Sequence, residues 1–137
     1  MNTFYLQLSA GGNADIQDIT AKVEVEIRKS EIANGIVTVF CPSSTSAIAT
    51  IEYENGCLND FRRLFDEIID PERTYAHNLR WGDGNGHSHV RAALLGPSLT
   101  VPFTERKLLL GTWQQIIFVD FDNRPRQRQL VLQVVGD

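Results

Sequence analysis

The chain has little cysteine, no long apolar run and no excess of positive charge. Cys41 and Cys57 are its only cysteines and lack CxxC spacing, which favours buried thiols over a disulfide. No stretch approaches the roughly 20 apolar residues of a membrane span, and the first ten residues lack a basic start followed by an apolar block. The net charge of -4 opposes nonspecific attachment to nucleic acid, which Lys and Arg drive. We therefore expect a cytoplasmic protein with neither nucleic acid nor membrane as partner.

The remaining composition is that of an ordinary globular domain. With 137 residues, 42% of them hydrophobic, the chain is long enough to bury a core and too short for a second comparable unit, so residues 1–137 are predicted to form a single domain. Apolar alternation or β-branched runs predict strands at 3–8, 36–40, 47–53, 99–103, 108–110, 113–121 and 129–135. The spacing predicts hairpins around 104–107 and 122–126.

Three segments favour helices. Residues 58–68 place apolar side chains on one helical face, and 90–95 suggests a short helix ending at Gly96. Residues 19–33 fit a strand or a helix; capping residues at the start and Asn34-Gly35 as a stop favour the helix. We predict an α+β fold of mainly antiparallel β-sheets, sandwich-like, with two or three helices.

The segment 77–91 holds all three histidines of the chain. A long loop is predicted to reach Gly86, and loops of that length in small domains are usually functional or disordered. His87 and His89 share one side only if the backbone is extended. Together with His77 they would supply three nitrogen donors, as in catalytic zinc sites. The alternative is that they are ordinary hydrogen-bonded surface histidines.

Three further patterns carry candidate chemistry. The glycine-rich run 82–86 can present N–H groups to an anion, or can simply form a tight turn. Arg124, Arg126 and Arg128 are spaced by two, which suits a phosphate grip on an extended strand; the alternative, a solvated hairpin tip, is favoured because surface charges in turns are common. The hydroxyls of residues 43–46 are candidates for an oxyanion or phosphate contact, and the absence of GxSxG argues against a nucleophilic serine.

Three motifs together resemble the YjbQ family, also called the secondary thiamine-phosphate synthase enzyme family. They are 35–45 (GIVTVFCPSST), the segment 77–102 with its HN, HSH and ALLGPSLTVP elements, and 110–126 with LGTWQ and RPR. The resemblance covers nearly everything from Asp18 onward. It implies a small cytoplasmic α and β protein that assembles as a homotrimer with sites near the subunit contacts. The family name implies a modest coupling of a pyrimidine pyrophosphate with a thiazole phosphate to give thiamine phosphate.

The motif positions imply a set of functional residues. The matched positions are Glu52, His77, Asn78, Asp83, His89, Ser98, Trp113, Gln114 and Arg126. One position departs: many members have Pro-His-Thr-Thr where this chain has Pro42-Ser43-Ser44-Thr45. Because His87 stands where many members have proline, an imidazole could have been relocated within the site.

The resulting hypothesis is an enzyme-like pocket near a trimer interface. His77, His87 and His89 would hold a divalent metal ion such as zinc, manganese or magnesium. Glu52, Asp83 and His89 would be catalytic, and a phosphorylated small molecule would be bound by Asn78, Asn85, Ser98, Gln114 and Arg126. The alternative is a non-catalytic trimeric module that binds a metal or a phosphorylated metabolite. A third alternative gives the histidines a purely structural role.

Overall fold

A computed structural model describes residues 1–137 as two antiparallel sheets and four helices. The elements in chain order are β1 (Asn2–Ala10), β2 (Asp15–Asp18), α1 (Thr20–Ser30), β3 (Gly35–Phe40), β4 (Ser46–Ile51), α2 (Asn55–Ile68), α3 (Ala76–Trp81), α4 (Gly86–Leu95), β5 (Ser98–Thr104), β6 (Lys107–Leu108), β7 (Gln115–Asp120) and β8 (Arg126–Gly136). The α+β prediction is confirmed, with four helices rather than two or three.

The larger sheet has five strands in the order β1-β8-β3-β5-β6, and the smaller has three in the order β2-β7-β4. Period-two alternation sets the register of the larger sheet: Leu6 lies opposite Leu130, and both are buried. Their neighbours Tyr5 and Gln7 are exposed on the other face. This sheet therefore has one apolar face and one solvent face.

Strand β7 is buried on both faces and lies between two cores. Ile116 and Phe118 belong to a core that packs against α1 and the larger sheet. Ile117 and Val119, on the opposite face, pack with residues of α2 and α4 in a second core. The fold is therefore a sheet sandwich whose smaller sheet is covered by helices. The apolar run of β7 reflects the burial of this strand on both faces.

The predicted helices at 19–33 and 58–68 are confirmed as α1 and α2. Helix α1 stops at Ser30 because Glu31 adopts a left-handed φ of 63°, before the Asn34-Gly35 stop that the sequence predicts. Glu54 caps α2 by accepting hydrogen bonds from the N–H groups of Gly56 and Cys57. At the other end of α2, the buried Arg91 donates to the carbonyls of Phe65 and Ile69.

Two predictions about connections are wrong. The hairpin around 104–107 is present as β5 and β6, but 113–121 and 129–135 do not form one, because β7 and β8 belong to different sheets. The turn between them carries the chain across the sandwich. The long loop up to Gly86 contains α3, and α4 begins at Gly86 rather than near Val90. No helix is both long and apolar enough to cross a membrane.

Candidate functional site

An open pocket of about 520 Å³ lies where the chain crosses between the two sheets. It is bounded by the end of β7, the start of β8, the loop before β4, and helices α3 and α4 with their connection. Eleven of its twelve lining residues carry polar or aromatic side chains, and the twelfth is Pro42. The eleven are Ser43, Ser44, Thr45, His77, Trp81, Asp83, Asn85, His89, Asp122, Arg126 and Arg128.

Arg128 is a part-buried structural cation in the pocket wall. Its Nε and Nη2 bond the two carboxylate oxygens of the fully buried Asp120 at 2.7 and 3.1 Å. Its terminal nitrogens also donate to Ser43 Oγ and Thr45 Oγ1, both at 2.9 Å. Burial lowers the pKa of a guanidinium, but the bond to Asp120 outweighs this and raises the pKa of Arg128. Arg128 is therefore always charged and is occupied by protein partners.

Arg126, two residues earlier on the same face, is only partly occupied. Its Nε donates to Asp122 Oδ2 at 3.0 Å, and its side chain remains 34% exposed. No other hydrogen bond to the Arg126 side chain is formed within the protein. Its two terminal nitrogens are therefore free to donate to an anion in the pocket.

Asp122 joins this arginine to the opposite wall. Its carboxylate is buried, yet it accepts hydrogen bonds from the Asn123 N–H at 2.8 Å, the Thr45 hydroxyl at 3.1 Å and the Asn85 amide at 3.3 Å. Burial raises the pKa of a carboxyl group, but these bonds and Arg126 outweigh it and hold the pKa of Asp122 below its usual value. The pocket thus has a fixed negative charge beside Arg126.

The opposite wall brings two histidines and an aspartate together. Nε2 of His77 lies 3.2 Å from Asp83 Oδ1 and 3.0 Å from Asn85 Oδ1. The rings of His77 and His89 have centroids 4.4 Å apart. His89 forms no side-chain hydrogen bond to the rest of the protein.

The junction of α3 and α4 sets this geometry. Asn78 Oδ1 accepts a hydrogen bond of 2.8 Å from the Gly86 N–H at the start of α4. A Cβ atom on Gly86 would lie 2.5 Å from Tyr75 Cβ, closer than carbon atoms can pack, so only glycine permits this approach. Asn78, a predicted substrate ligand, is instead a positioning residue outside the pocket lining.

The expected convergence of three histidines is not found, because 87 and 89 lie on a helix. Positions two apart on an α-helix point about 200° apart, and only His89 faces the pocket. His87 is buried against Tyr75, with ring centroids 6.3 Å apart, and its Nδ1 has no hydrogen-bond partner. Burial, then the nearby Arg91 cation, lowers the pKa of His87 and keeps it neutral.

Three other predicted site residues also lie outside the pocket lining. Gln114 bonds the Gly111 N–H and the Thr50 hydroxyl, and Ser98 is exposed at the start of β5. Glu52 is exposed at the end of β4.

Glu52 instead belongs to an acidic group at the start of α2. It lies with Glu54 and Cys57, whose potential ligand atoms are within 4.8 Å of one another. The Glu54 carboxylate is occupied as the helix cap. A hydrogen bond with Glu54 is the main cause that raises the pKa of Cys57 to about 11, so this thiol stays protonated at neutral pH.

Sequence reasoning missed Asp120 and Asp122 as site residues. The available signal was their spacing: two carboxylates two residues apart at the end of an apolar strand point to the same side. Arg126 and Arg128, which are also two residues apart, lie at the start of the following strand, β8. Of the three arginines predicted to contact a phosphate, only Arg126 has free terminal nitrogens in the pocket, where Asp122 holds its Nε; Arg128 is bound by Asp120, and Arg124 does not line the pocket.

Without His87, the pocket keeps donors of the types that a divalent metal ion accepts, but His77, Asp83 and His89 do not bring three ligand atoms within 4.8 Å of one another. Two imidazoles and a carboxylate are donors that zinc and manganese accept. The 3.2 Å between His77 Nε2 and Asp83 Oδ1 is the separation expected for two ligands that each lie about 2.0–2.2 Å from one ion. His89, whose ring packs against that of His77, would have to move its ring to supply the third donor.

Comparison with known proteins gives a consistent family. The family model described as "UPF0047 protein YjbQ-like" matches residues 4–137. A UPF0047 protein of Methanothermobacter thermautotrophicus is 39% identical over 96% of this chain and 90% of its own length. YugU of Bacillus subtilis, also a UPF0047 protein, is 30% identical over 96% and 97% of the two chains.

Solved structures agree with this assignment. A YbjQ-like protein of unknown function from Sulfolobus solfataricus has a TM-score of 0.90 and 33% identity, with 99% of each chain covered. A hypothetical protein from Aeropyrum pernix has a TM-score of 0.92 and 31% identity over the whole of both chains. Since the match extends over sequence and fold alike, this chain belongs to the YjbQ family of UPF0047 proteins.

Proposed function

We propose that the pocket binds a divalent metal ion through His77, Asp83 and His89 and a phosphorylated small molecule through Arg126. The carrying observation is that two imidazoles, a carboxylate and an arginine with free terminal nitrogens line one pocket. The metal would be manganese or zinc, since two of the three donors are imidazoles. His87 is excluded from the ligand set by its position on α4.

The charges of the pocket support a metal ion together with the phosphate. Arg128 is neutralised by Asp120, and Arg126 is paired with Asp122 through Nε. The remaining formal charge is that of Asp83, which would repel a phosphate on its own. A divalent cation at this carboxylate would make the net charge of that wall positive, so metal binding and phosphate binding should each strengthen the other.

The activity proposed is a weak group transfer of the thiamine-phosphate synthase type, in which a carbon–nitrogen bond forms and pyrophosphate leaves. A bound divalent ion would stabilise negative charge on the leaving pyrophosphate. Arg126 would orient the phosphate by paired hydrogen bonds, and Asn85, fixed between His77 and Asp122, would keep the two walls in register. Asp83 and His89 would serve as metal ligands rather than as proton carriers, and Glu52, predicted to be catalytic, has no contact with the pocket.

The second candidate function is a binding module without turnover. It is favoured by the absence of an activated nucleophile: Ser43 and Thr45, whose hydroxyls line the pocket, accept from Arg128 rather than bond a histidine. Such a module would bind the same metal and phosphate and signal through a partner. The two candidates differ only in whether product is released.

A homotrimer is supported by the outer face of the larger sheet. Its outward side chains on four strands include no charged residue: Thr3, Tyr5, Gln7, Ser9, Ile36, Thr38, Phe40, Ser98, Thr100, Pro102, Thr104, Gln127, Gln129, Val131, Gln133 and Val135. Depletion of charge marks the centre of protein interfaces. Gln127 and Gln129 also line a small cleft with Ser43, so this face borders the pocket.

The test is calorimetric titration of pyrophosphate into protein loaded with one equivalent of manganese. Arg126→Gln should weaken binding by about tenfold or more, the loss expected for charge-assisted hydrogen bonds. Arg124→Gln is the matched control, because Arg124 does not line the pocket, and it should bind like the wild type. Equal affinities for all three proteins would contradict the proposal.

A second assay separates the enzyme from the binding module. The two thiamine precursors are incubated with substoichiometric protein, and thiamine phosphate is measured over time. More than one product molecule per chain, lost in Asp83→Asn, supports the enzyme. Tight binding with no product supports the module.

A further inference from the structure

A second groove of about 270 Å³ opens from the candidate pocket along helix α4. The two cavities share Ser43, Ser44 and His89. Ser46, Ala92, Ala93 and Pro97 complete the lining of the groove, and most of the surface it exposes is carbon. A polar pocket and a mainly apolar groove are therefore continuous at the loop that precedes β4.

The groove exists because one face of α4 carries small side chains. His89, Ala92 and Ala93 are spaced at i, i+3 and i+4, so they follow one another along the same side of the helix. The next stripe of the helix holds Val90 and Leu94, which are larger and exposed to solvent. Alanine at 92 and 93 thus leaves room beside His89 that a larger residue would fill.

Ser43 stands at the junction with a hydroxyl hydrogen to donate. Its Oγ accepts hydrogen bonds from Arg128 Nη1 at 2.9 Å and from the Thr45 N–H at 3.2 Å, which uses both lone pairs of the oxygen. The Ser43 O–H donates to no protein acceptor. A ligand that crosses from the pocket to the groove would therefore meet a fixed donor at this point.

The groove is also bordered by an unsatisfied hydroxyl. Ser46 is 1% exposed, and its Oγ has no hydrogen-bond partner in the protein. A buried polar atom without a partner carries a cost of about 1–3 kcal/mol.

We propose that the ligand of this site is an organic phosphate monoester whose phosphate binds Arg126 and whose apolar ring lies in the groove beside Ala92 and Ala93. The inference rests on the proposed function and adds the second half of the ligand. Inorganic phosphate fills only a small part of the 520 Å³ pocket and none of the groove. Ser43 donates to a phosphate oxygen at the point where the ester bond leads from one cavity to the other.

The test compares phenyl phosphate with methyl phosphate, two monoesters that differ only in the organic group. Both are titrated into manganese-loaded wild-type protein, with affinity from calorimetry and location from amide chemical shifts. Phenyl phosphate should bind about tenfold tighter, since burying a ring removes apolar area from water. It alone should shift the amides of Ala92 and Ala93.

A matched pair of variants tests the location of the ring. Ala93→Trp adds a large side chain at the groove and should abolish the preference for phenyl phosphate while leaving methyl phosphate unaffected. Leu94→Trp adds the same side chain to the neighbouring exposed position and should leave both ligands unchanged.

Two results would overturn the inference in distinguishable ways. Equal binding of both esters by wild-type protein, without shifts at Ala92 and Ala93, would remove the groove from the ligand site and leave the phosphate pocket intact. Failure of both esters to bind would remove the proposed phosphate function itself.

Discussion

Asp122→Asn tests whether one buried carboxylate holds the walls of the pocket together. The change keeps the shape of the side chain but replaces an oxygen by an amide nitrogen that cannot accept. In the wild type the two oxygens accept from Asn123, Asn85, Thr45 and Arg126. Whichever way the new amide turns, its nitrogen faces a donor and leaves at least one of these groups unpaired.

The expected loss follows from the burial of this group. The Asp122 side chain is 2% exposed, so solvent cannot replace the lost partner. Hydrogen bonds to charged groups contribute about 1.5–3 kcal/mol each, and an unsatisfied buried donor costs about as much. We expect the free energy of unfolding at pH 7 to fall by about 2–4 kcal/mol, and the melting temperature to fall by about 10 °C.

Urea unfolding at several pH values is the assay, because the pKa of Asp122 determines whether its contribution to stability rises or falls with pH. The folded-state pKa lies below the usual 3.8, so the folded protein binds the proton less readily than the unfolded chain. The stabilisation by the carboxylate is complete above about pH 3.8 and is lost as the pH falls through the folded-state pKa. The gap between wild type and Asp122→Asn should therefore narrow in acid.

Asp83→Asn is the matched control for this experiment. Asp83 also lines the pocket, but its side chain is 47% exposed, and water can solvate what it leaves behind. Its unfolding free energy should stay within about 0.5 kcal/mol of the wild type. The reasoning is refuted if Asp122→Asn is as stable as the wild type, or if Asp83→Asn loses as much.

Four further changes have defined outcomes. Arg91→Met should lower the unfolding free energy by about 2–4 kcal/mol in urea titrations, because the Ile69 carbonyl after α2 loses its Arg91 donors and the Phe65 carbonyl keeps only the Ile69 N–H. Gly86→Ala should lower it by about 1–3 kcal/mol through overpacking against α3; a neutral effect would contradict the close approach. His87→Leu should make the melting temperature less dependent on pH between about 7.5 and 5.5. The pKa of the buried imidazole is depressed in the folded protein, so protonation favours the unfolded chain and the wild type loses stability as the pH falls below 6.5, whereas the variant should not. Thr38→Glu places a charge within the outer sheet face and should convert a trimer to monomers in light scattering; an unchanged mass would place the subunit contact elsewhere.

The elements of the fold could largely be predicted from local patterns, while their pairing could not. Alternation identified β1 and β3, and the amphipathic period identified α2, because each of these buries one face. Strand β7 was also found from its apolar run. Its neighbour along the chain, β8, was assigned to the same sheet because a turn-rich connection resembles a hairpin. That the turn between β7 and β8 crosses from one sheet to the other follows only from the packing of a separate core on each side of β7.

Residues of the segment 77–91 line the candidate pocket, as the sequence predicts, but their geometry depends on a helix that the sequence did not reveal. Glycines and histidines in this segment suggested a loop, while Gly86 is in fact required by the close packing of Tyr75. That one element turns His87 away from His89. Asp120 and Asp122 were missed because, at the end of an apolar strand, they are typical of a turn. Their role depends on β8, which places Arg126 and Arg128 in contact with them.

The composition of the donor set is the central claim, and metal content of the histidine variants tests it most directly. Wild-type protein, His89→Ala and His87→Leu are incubated with manganese or zinc, freed of unbound ion, and analysed for metal at equal folded concentration. The account predicts about one metal per chain in the wild type and in His87→Leu, and none in His89→Ala. Loss of metal in His87→Leu with retention in His89→Ala, or no metal in the wild type, would contradict it.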